Sequence, residues 1–176
     1  MSVSSPPIHF TNTGDGTARL TASEAMAQGL ASDGSLFVPS NYPTFTAEDF
    51  EGDHTVHEIA ATLLAPFFAQ DPLQSRLPEI CAEAFDFPIP LKRLTDDTSV
   101  LELFHGPTAA FKDVGARFLA SALSRMNEGF DEPLTILVAT SGDTGGAVAA
   151  AFAGKPNVEV IILYPKGGVS WRQERQ

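Results

Sequence analysis

The run Thr135-Ile136-Leu137-Val138-Ala139, followed at once by Thr140-Ser141-Gly142-Asp143-Thr144-Gly145-Gly146, limits the fold more than any other stretch of the chain. A continuous β-branched and apolar run reads as a strand buried on both faces, as in a parallel sheet. A small-residue helix through Ala147 to Ala153 follows, Gly154 closes it, and Val158 to Tyr164 supplies a second strand. Strand, glycine turn, helix and strand at that spacing predict a βαβ unit with a right-handed crossover. An α/β fold therefore begins in this part of the chain.

The glycine turn also carries chemistry. A turn that leaves a strand and opens a helix aims several backbone N–H groups at one point, which suits a phosphate or a carboxylate. Ser141 and Thr144 add hydroxyl donors, and the glycines let a ligand approach the backbone. Neither a Walker A loop nor the G-x-G-x-x-G dinucleotide pattern is present. An ordinary capped βα turn is the alternative, and the concentration of Ser, Gly, Asp and Thr favours ligand binding.

About thirty residues earlier lies Leu101-Glu102-Leu103-Phe104-His105-Gly106-Pro107-Thr108-Ala109-Ala110-Phe111-Lys112-Asp113. It reads as a strand over Val100 to Leu103, a turn at Gly106-Pro107, and a helix entered near Lys112. From Phe111 the apolar positions Phe111, Gly115, Phe118, Leu119, Ala122, Leu123 and Met126 share one face, and Asp113 and Arg117 are placed to pair at i,i+4 on another. A helix start disfavours an ammonium, and burial behind Phe104 and Phe111 would disfavour it further. Both effects favour the neutral amine, which attacks carbonyls. The competing reading is a surface lysine that opens a helix. His105 reads as a wall of the same site or as a satisfied turn histidine, and Glu102 as a buried partner or an exposed strand residue.

The first half of the chain has another texture. Ile8 to Thr11 is a short strand, and Thr21 to Glu24 has capping-box spacing for a helix closed by Gly29. Leu36 to Val38 is a second short strand, Thr46 to Asp49 a helical turn, and Thr55 to Glu58 a second capping box opening a helix that Pro66 should kink or end. A third helix is expected from about Gln74 to Phe85, with Leu77, Ile80, Cys81 and Ala84 on one face. Phe87 to Leu91, with its prolines, suits an edge strand or an extended crossing segment. These patterns predict a small, mainly helical domain over residues 1–85, then the start of an α/β domain over 86–176. His54-x-x-His57-Glu58 fits neither helical zinc pattern and is explained by the second capping box, so no metal site is assigned.

Composition removes several function classes. The chain's 176 residues carry a net charge of −11, which opposes nucleic-acid binding and docking on anionic membranes. One cysteine, Cys81, excludes an internal disulfide. No run approaches ~18 apolar residues, so no membrane span is expected. The N-terminus lacks a signal pattern, and a reducing, cytoplasmic setting is the natural expectation.

Taken together, Glu102 to Thr108, Phe111-Lys112-Asp113 and Ala139 to Gly145 resemble the threonine synthase family. Gln28 to Pro39 resembles the N-terminal domain of that family. The resemblance implies a pyridoxal-phosphate-dependent domain of the tryptophan synthase β type, and conversion of O-phosphohomoserine and water to threonine and phosphate. It implies that Lys112 holds the cofactor as an internal aldimine and later shuttles protons, with Phe111 and Asp143 as further cofactor contacts. Ser141, Gly142, Thr144 and Gly145 match the loop that receives the substrate carboxylate, and His105 and Lys166 stand as further substrate contacts.

Some features depart from the family. Several relatives have Asn at the Asp143 position, where Asp143 resembles the variant in bacterial and fungal threonine synthases, and after Gly167 a Ser-Pro pair is usual where Ser170-Trp171-Arg172 stands here. The sequence also ends before the family's cofactor-phosphate loop and its partner for the pyridine nitrogen, so the chain is expected to be inactive alone. A related pyridoxal-phosphate lyase or β-replacement enzyme is the alternative activity. A non-catalytic ligand- or partner-binding remnant is the alternative from another class.

Overall fold

The computed structural model of the chain describes residues 7–140 and 142–175. It divides into two compact units that meet between Cys81 and Ala82.

In the first unit, strands β1 (Phe10–Asn12) and β2 (Phe37–Pro39) pair antiparallel, Phe10 opposite Pro39. Three residues are enough because Asn12, itself buried, ties the surrounding loops together. Its Nδ2 donates to Asp15 and Asp33, and its Oδ1 accepts from the Ala18 amide.

Helix α1 (Ala22–Gln28) starts at the expected capping box, in which Thr21 and Glu24 exchange backbone and side-chain hydrogen bonds. Buried Asp71 accepts from the Ser23 amide, the Ser23 hydroxyl and the Leu73 amide. That places a long-range polar tie on the first turn of α1.

Helix α2 (Val56–Leu64) has its capping box too, and the chain tightens into a 3-10 turn over Ala65–Phe68 where Pro66 removes a donor. The box occupies Glu58, and His54 Nε2 lies 2.9 Å from the Glu51 carbonyl.

Helix α3 (Leu77–Ala84) follows a 3-10 turn at Gln74–Arg76 and buries the expected face of Leu77, Ile80, Cys81 and Ala84. Burial pushes the Cys81 thiol up to about 11, so it is an inert packing residue.

The second unit opens with an antiparallel hairpin of β3 (Leu91–Arg93) and β4 (Ser99–Leu101). The first strand lies just past the expected Phe87 to Leu91, because Pro88 and Pro90 have no N–H to give a ladder. The second strand ends at Leu101 instead of Leu103. The Glu102 amide still donates to the Pro90 carbonyl, which keeps the next segment extended along the hairpin.

Helix α4 (Lys112–Met126) packs against α5 (Asp143–Phe152), which connects β5 (Leu134–Ala139) to β6 (Val158–Leu163). β5 and β6 pair in parallel, Leu134 opposite Val158, giving the expected βαβ unit. The helix begins at Asp143, four residues before the expected Ala147.

Three expectations are corrected here. Neither strand of the parallel pair is buried on both faces: burial alternates along β5 and β6, and Leu137, Ile161 and Leu163 are exposed. Ile162 lies beside Gly145 of α5, so the helix covers one face of the ribbon. The expected stripe of α4 is buried only in part: Ala122 and Leu123 are buried, within a stretch from Ala120 to Ser124 that is buried all round the helix, while Phe111 and Gly115 at its start are exposed and Asp113 is buried instead.

The third correction separates Asp113 from Arg117. Arg117 instead clamps the end of α3, donating to the Glu83 and Ala84 carbonyls and pairing with Asp86 at 2.6 Å. A helix C-terminus has carbonyls without intrahelical donors, and a guanidinium satisfies them well. Glu83 meanwhile gathers Ser121, Arg125 and Lys155. Among the described residues no helix is long and apolar enough to cross a membrane.

Candidate active site

The site is built from the loop that enters α4. Gly106 has an ordinary backbone conformation, and its requirement is space: a Cβ there would stand 2.5 Å from Asp113 Oδ2 and 2.8 Å from Asp113 Cβ. Asp113, in the first turn of α4 and 1% exposed, reaches back over the loop. Its carboxylate accepts from the Thr108 amide at 2.9 Å and from the Thr108 hydroxyl at 2.7 Å. Inside this closure Ala109 is held at φ +55°, a left-handed conformation that a non-glycine residue adopts only when its surroundings enforce it. The Ala109 amide donates to the Gly106 carbonyl and the Asp113 amide to that of Ala110.

Lys112 emerges from this frame as the first residue of α4. Its Nζ is 4.7 Å from the centre of the Phe111 ring and 3.9 Å from Asp143 Oδ2 at the start of α5. The Lys112 side chain is 31% exposed and that of Asp143 62%, so the pair is screened and its energetic weight is small. Thr108, Ala109, Ala110, Phe111, Lys112 and Asp143 line a cleft of about 340 Å³. The burial expected behind Phe104 and Phe111 is not found, since both rings are more than half exposed. Lys112 is reachable from solvent instead of being enclosed.

Across the cleft, Gly142 precedes α5 in an extended conformation and its amide donates to Thr140 Oγ1 at 3.2 Å. The Gly145 amide turns back to the Gly142 carbonyl. The opening amides of a helix, here those of Asp143 and Thr144, have no acceptor within it, so this end keeps the capacity to receive an anion. A Cβ on Gly145 would stand 2.7 Å from Thr140 Cγ2 and 3.2 Å from Ile162 Cγ2, so the helix start can sit on the strands only with glycine there. Ser141 lies outside the described residues.

Phe111, Lys112 and Asp143 thus meet in one cleft, and Gly142, Thr144 and Gly145 form the helix start behind Asp143. His105 and Lys166 are not among the cleft's lining residues. His105 Nε2 lies 2.7 Å from Glu102 Oε2, its ring packs on Phe104, and Lys92 Nζ stands 3.1 Å from the other Glu102 oxygen. The His105 hydrogen bond, then Lys92, holds the Glu102 carboxyl below its ordinary range. Lys166 is exposed in the turn after β6. Reading the sequence by helical spacing missed Asp113, Thr108, Ala109 and Ala110. The available signal was the acid five residues after a Gly-Pro-Thr turn, a loop-closing pattern that i,i+4 pairing obscured.

A reachable lysine at one helix start, facing a glycine-rich helix start on a βαβ unit, can condense with a carbonyl while a small anion sits nearby. Known proteins are similar to the chain over most of its length. The family model described as threonine synthase N terminus matches residues 9–85. Threonine synthase of Serratia marcescens is 44% identical over 168 residues, 93% of this chain and 38% of its own length. That of Escherichia coli K12 is 42% identical over 166 residues with the same coverages.

The solved structure of a PLP-bound threonine synthase from Brucella melitensis superposes with a TM-score of 0.84 at 39% identity, covering 96% of this chain and 38% of that one. The Escherichia coli structure gives 0.82 at 42% identity, over 94% and 39%. In sequence and in fold the chain is similar to the N-terminal portion of the threonine synthases, and it spans about 38% of the length of the relatives it matches.

Proposed function

We propose that the chain contributes the lysine half of a pyridoxal-phosphate site in a threonine synthase, a carbon–oxygen lyase converting O-phosphohomoserine and water to threonine and phosphate. The observation that carries the reading is the approach of Lys112 to Asp143 within 3.9 Å, which joins two motifs about thirty residues apart in one cleft. The donor set fits the cofactor. An aldehyde needs a primary amine open to it, and Lys112 offers one beside an aromatic ring and a carboxylate. The PLP-bound relative is consistent with this assignment.

Bound there, the cofactor would supply an electron sink for negative charge developing next to the substrate's α carbon. The chain's own residues do the rest. Lys112 anchors the cofactor and, once free, moves protons at the substrate's α and β carbons. Phe111 and Asp143, which line the same cleft, would help to hold the cofactor there. The Ser141 to Gly145 loop receives the substrate carboxylate with helix-start amides, with Lys166 and His105 as further substrate contacts. The domain division at 85/86 belongs to the same reading and is supported by the family match to residues 9–85; a cytoplasmic setting goes with the proposed activity.

Because the matched relatives are more than twice as long, the chain alone is expected to give no enzyme-like phosphate release. The test is incubation with pyridoxal phosphate, borohydride reduction and peptide mapping, beside a phosphate-release assay on O-phosphohomoserine. A pyridoxyl group on Lys112 without turnover is the expected outcome. No adduct on Lys112 would leave a non-catalytic remnant as the better account, and keto-acid release from another amino acid would favour the related lyase.

A further inference from the structure

The buried carboxylate of Asp113 has no part in the cofactor and substrate contacts above, and helix stability alone gives a poor reason for it. A carboxylate that is 1% exposed, with no cationic partner among the described residues, has given up its hydration. Only the Thr108 amide, the Thr108 hydroxyl and the start of α4 answer it. What those two hydrogen bonds fix is specific. They close the five-residue span that holds Ala109 at φ +55° and makes Thr108, Ala109 and Ala110 one wall of the cleft that Lys112 enters. A Cβ on Gly106 would stand 2.5–3.0 Å from Asp113 Oδ2, Cβ and Cγ, so the closure is tight enough to exclude a methyl group. Asp113 does not line the cleft, so any influence on Lys112 passes through this wall.

We infer that Asp113 is a positioning residue: by holding Thr108 at both its amide and its hydroxyl, it sets the wall against which the Lys112 amine meets the cofactor's aldehyde. The inference rests on the cofactor reading proposed above. In the step concerned, the Lys112 nitrogen forms a double bond to the aldehyde carbon of pyridoxal phosphate. The aldehyde oxygen leaves as water, taking the two protons that the amine gives up. A wall that drifts by an ångström leaves amine and aldehyde poorly aligned, and such a misplacement lowers a rate by as much as about 100-fold.

The test uses the full chain and pyridoxal phosphate at sub-saturating concentration. It compares the unaltered protein with Asp113→Ala, Asp113→Asn and Arg117→Ala. The readouts are the rate of borohydride-trappable product on Lys112 and the induced circular dichroism of the bound chromophore. Asp113→Ala should slow trapping on the order of 10- to 100-fold and weaken the induced signal, which reports how rigidly the chromophore is held. Asp113→Asn can still accept from the Thr108 amide and donate to its hydroxyl, so it should stay within about threefold of the unaltered chain. Arg117→Ala removes a clamp on the same helix without touching the wall, and should also stay within about threefold.

Each other outcome is decisive. Trapping in Asp113→Ala at the unaltered rate with an unaltered induced signal overturns the inference alone. So does Asp113→Asn as slow as Asp113→Ala, because charge and not the two hydrogen bonds would then matter. So does Arg117→Ala as slow as Asp113→Ala, because loss of helix stability would then explain both. Failure of the unaltered chain to form any Lys112 adduct overturns the cofactor reading and this inference with it.

Discussion

Gly106→Ala offers the sharpest structural perturbation, because the contact it creates can be specified atom by atom. The new methyl would lie 2.5 Å from Asp113 Oδ2, 2.8 Å from its Cβ and 3.0 Å from its Cγ. The oxygen could swing away only by leaving Thr108, and the Cβ is fixed to the backbone of α4, so the loop must move. Overpacking of this kind costs about 1–3 kcal/mol. Losing one hydrogen bond to the buried carboxylate adds about 1.5–3 kcal/mol. The smaller entropy of an alanine-containing unfolded chain returns about 0.4–1 kcal/mol. The net loss is about 2–5 kcal/mol.

Urea unfolding followed by circular dichroism should show it as a midpoint lowered by roughly 1–2 M. The Thr108 amide should exchange faster with solvent. Asp113→Ala removes the carboxyl atoms the methyl meets but keeps the Cβ at 2.8 Å, so the double variant should still be less stable than Asp113→Ala alone, by the overpacking cost only. The expected coupling between the two sites is the hydrogen bond lost in both single variants, about 1.5–3 kcal/mol. Gly106→Ala within about 0.5 kcal/mol of the unaltered chain, or strict additivity in the cycle, would refute the close-packed loop.

Gly145→Ala should act at the other wall of the cleft, lowering stability by about 1–3 kcal/mol in the same urea assay, since its methyl would meet Thr140 and Ile162. Thr55→Ala removes the hydroxyl that caps α2 and should cost about 1 kcal/mol in thermal or urea unfolding. Glu102 gives a pH prediction with a definite sign. Its folded-state carboxyl lies below the ordinary value of 4.5, so its stabilisation is present above that value and is lost as pH falls through the lower folded value. Glu102→Gln should lower stability in the neutral range and flatten the further loss in acid below about pH 4.5, so that the two proteins converge at low pH.

Periodicity and turn chemistry were legible because they are local. The capping boxes at Thr21 and Thr55, the buried face of α3 and the βαβ unit all follow from spacing alone, and each appears where the residues place it. Partnership across space was less legible. Asp113 and Arg117 satisfy helical pairing on paper, yet Asp113 closes a loop five residues back and Arg117 reaches the end of α3, because buried carbonyls and amides compete for the same charges. The apolar run of β5 implied cover on both sides, whereas α5 supplies cover on one. The meeting of Lys112 with Asp143 could be suspected from two motifs, but only the packing of α4 on α5 brings them within 3.9 Å.

The central claim is that this cleft receives the cofactor at Lys112, and a crystal structure of the chain soaked with pyridoxal phosphate tests it most directly. Density should run continuously from Lys112 Nζ into the space between Phe111 and Asp143, with the wall of Thr108 to Ala110 unmoved. Cofactor density joined to Lys92, Lys155 or Lys166, with none at Lys112, would contradict it.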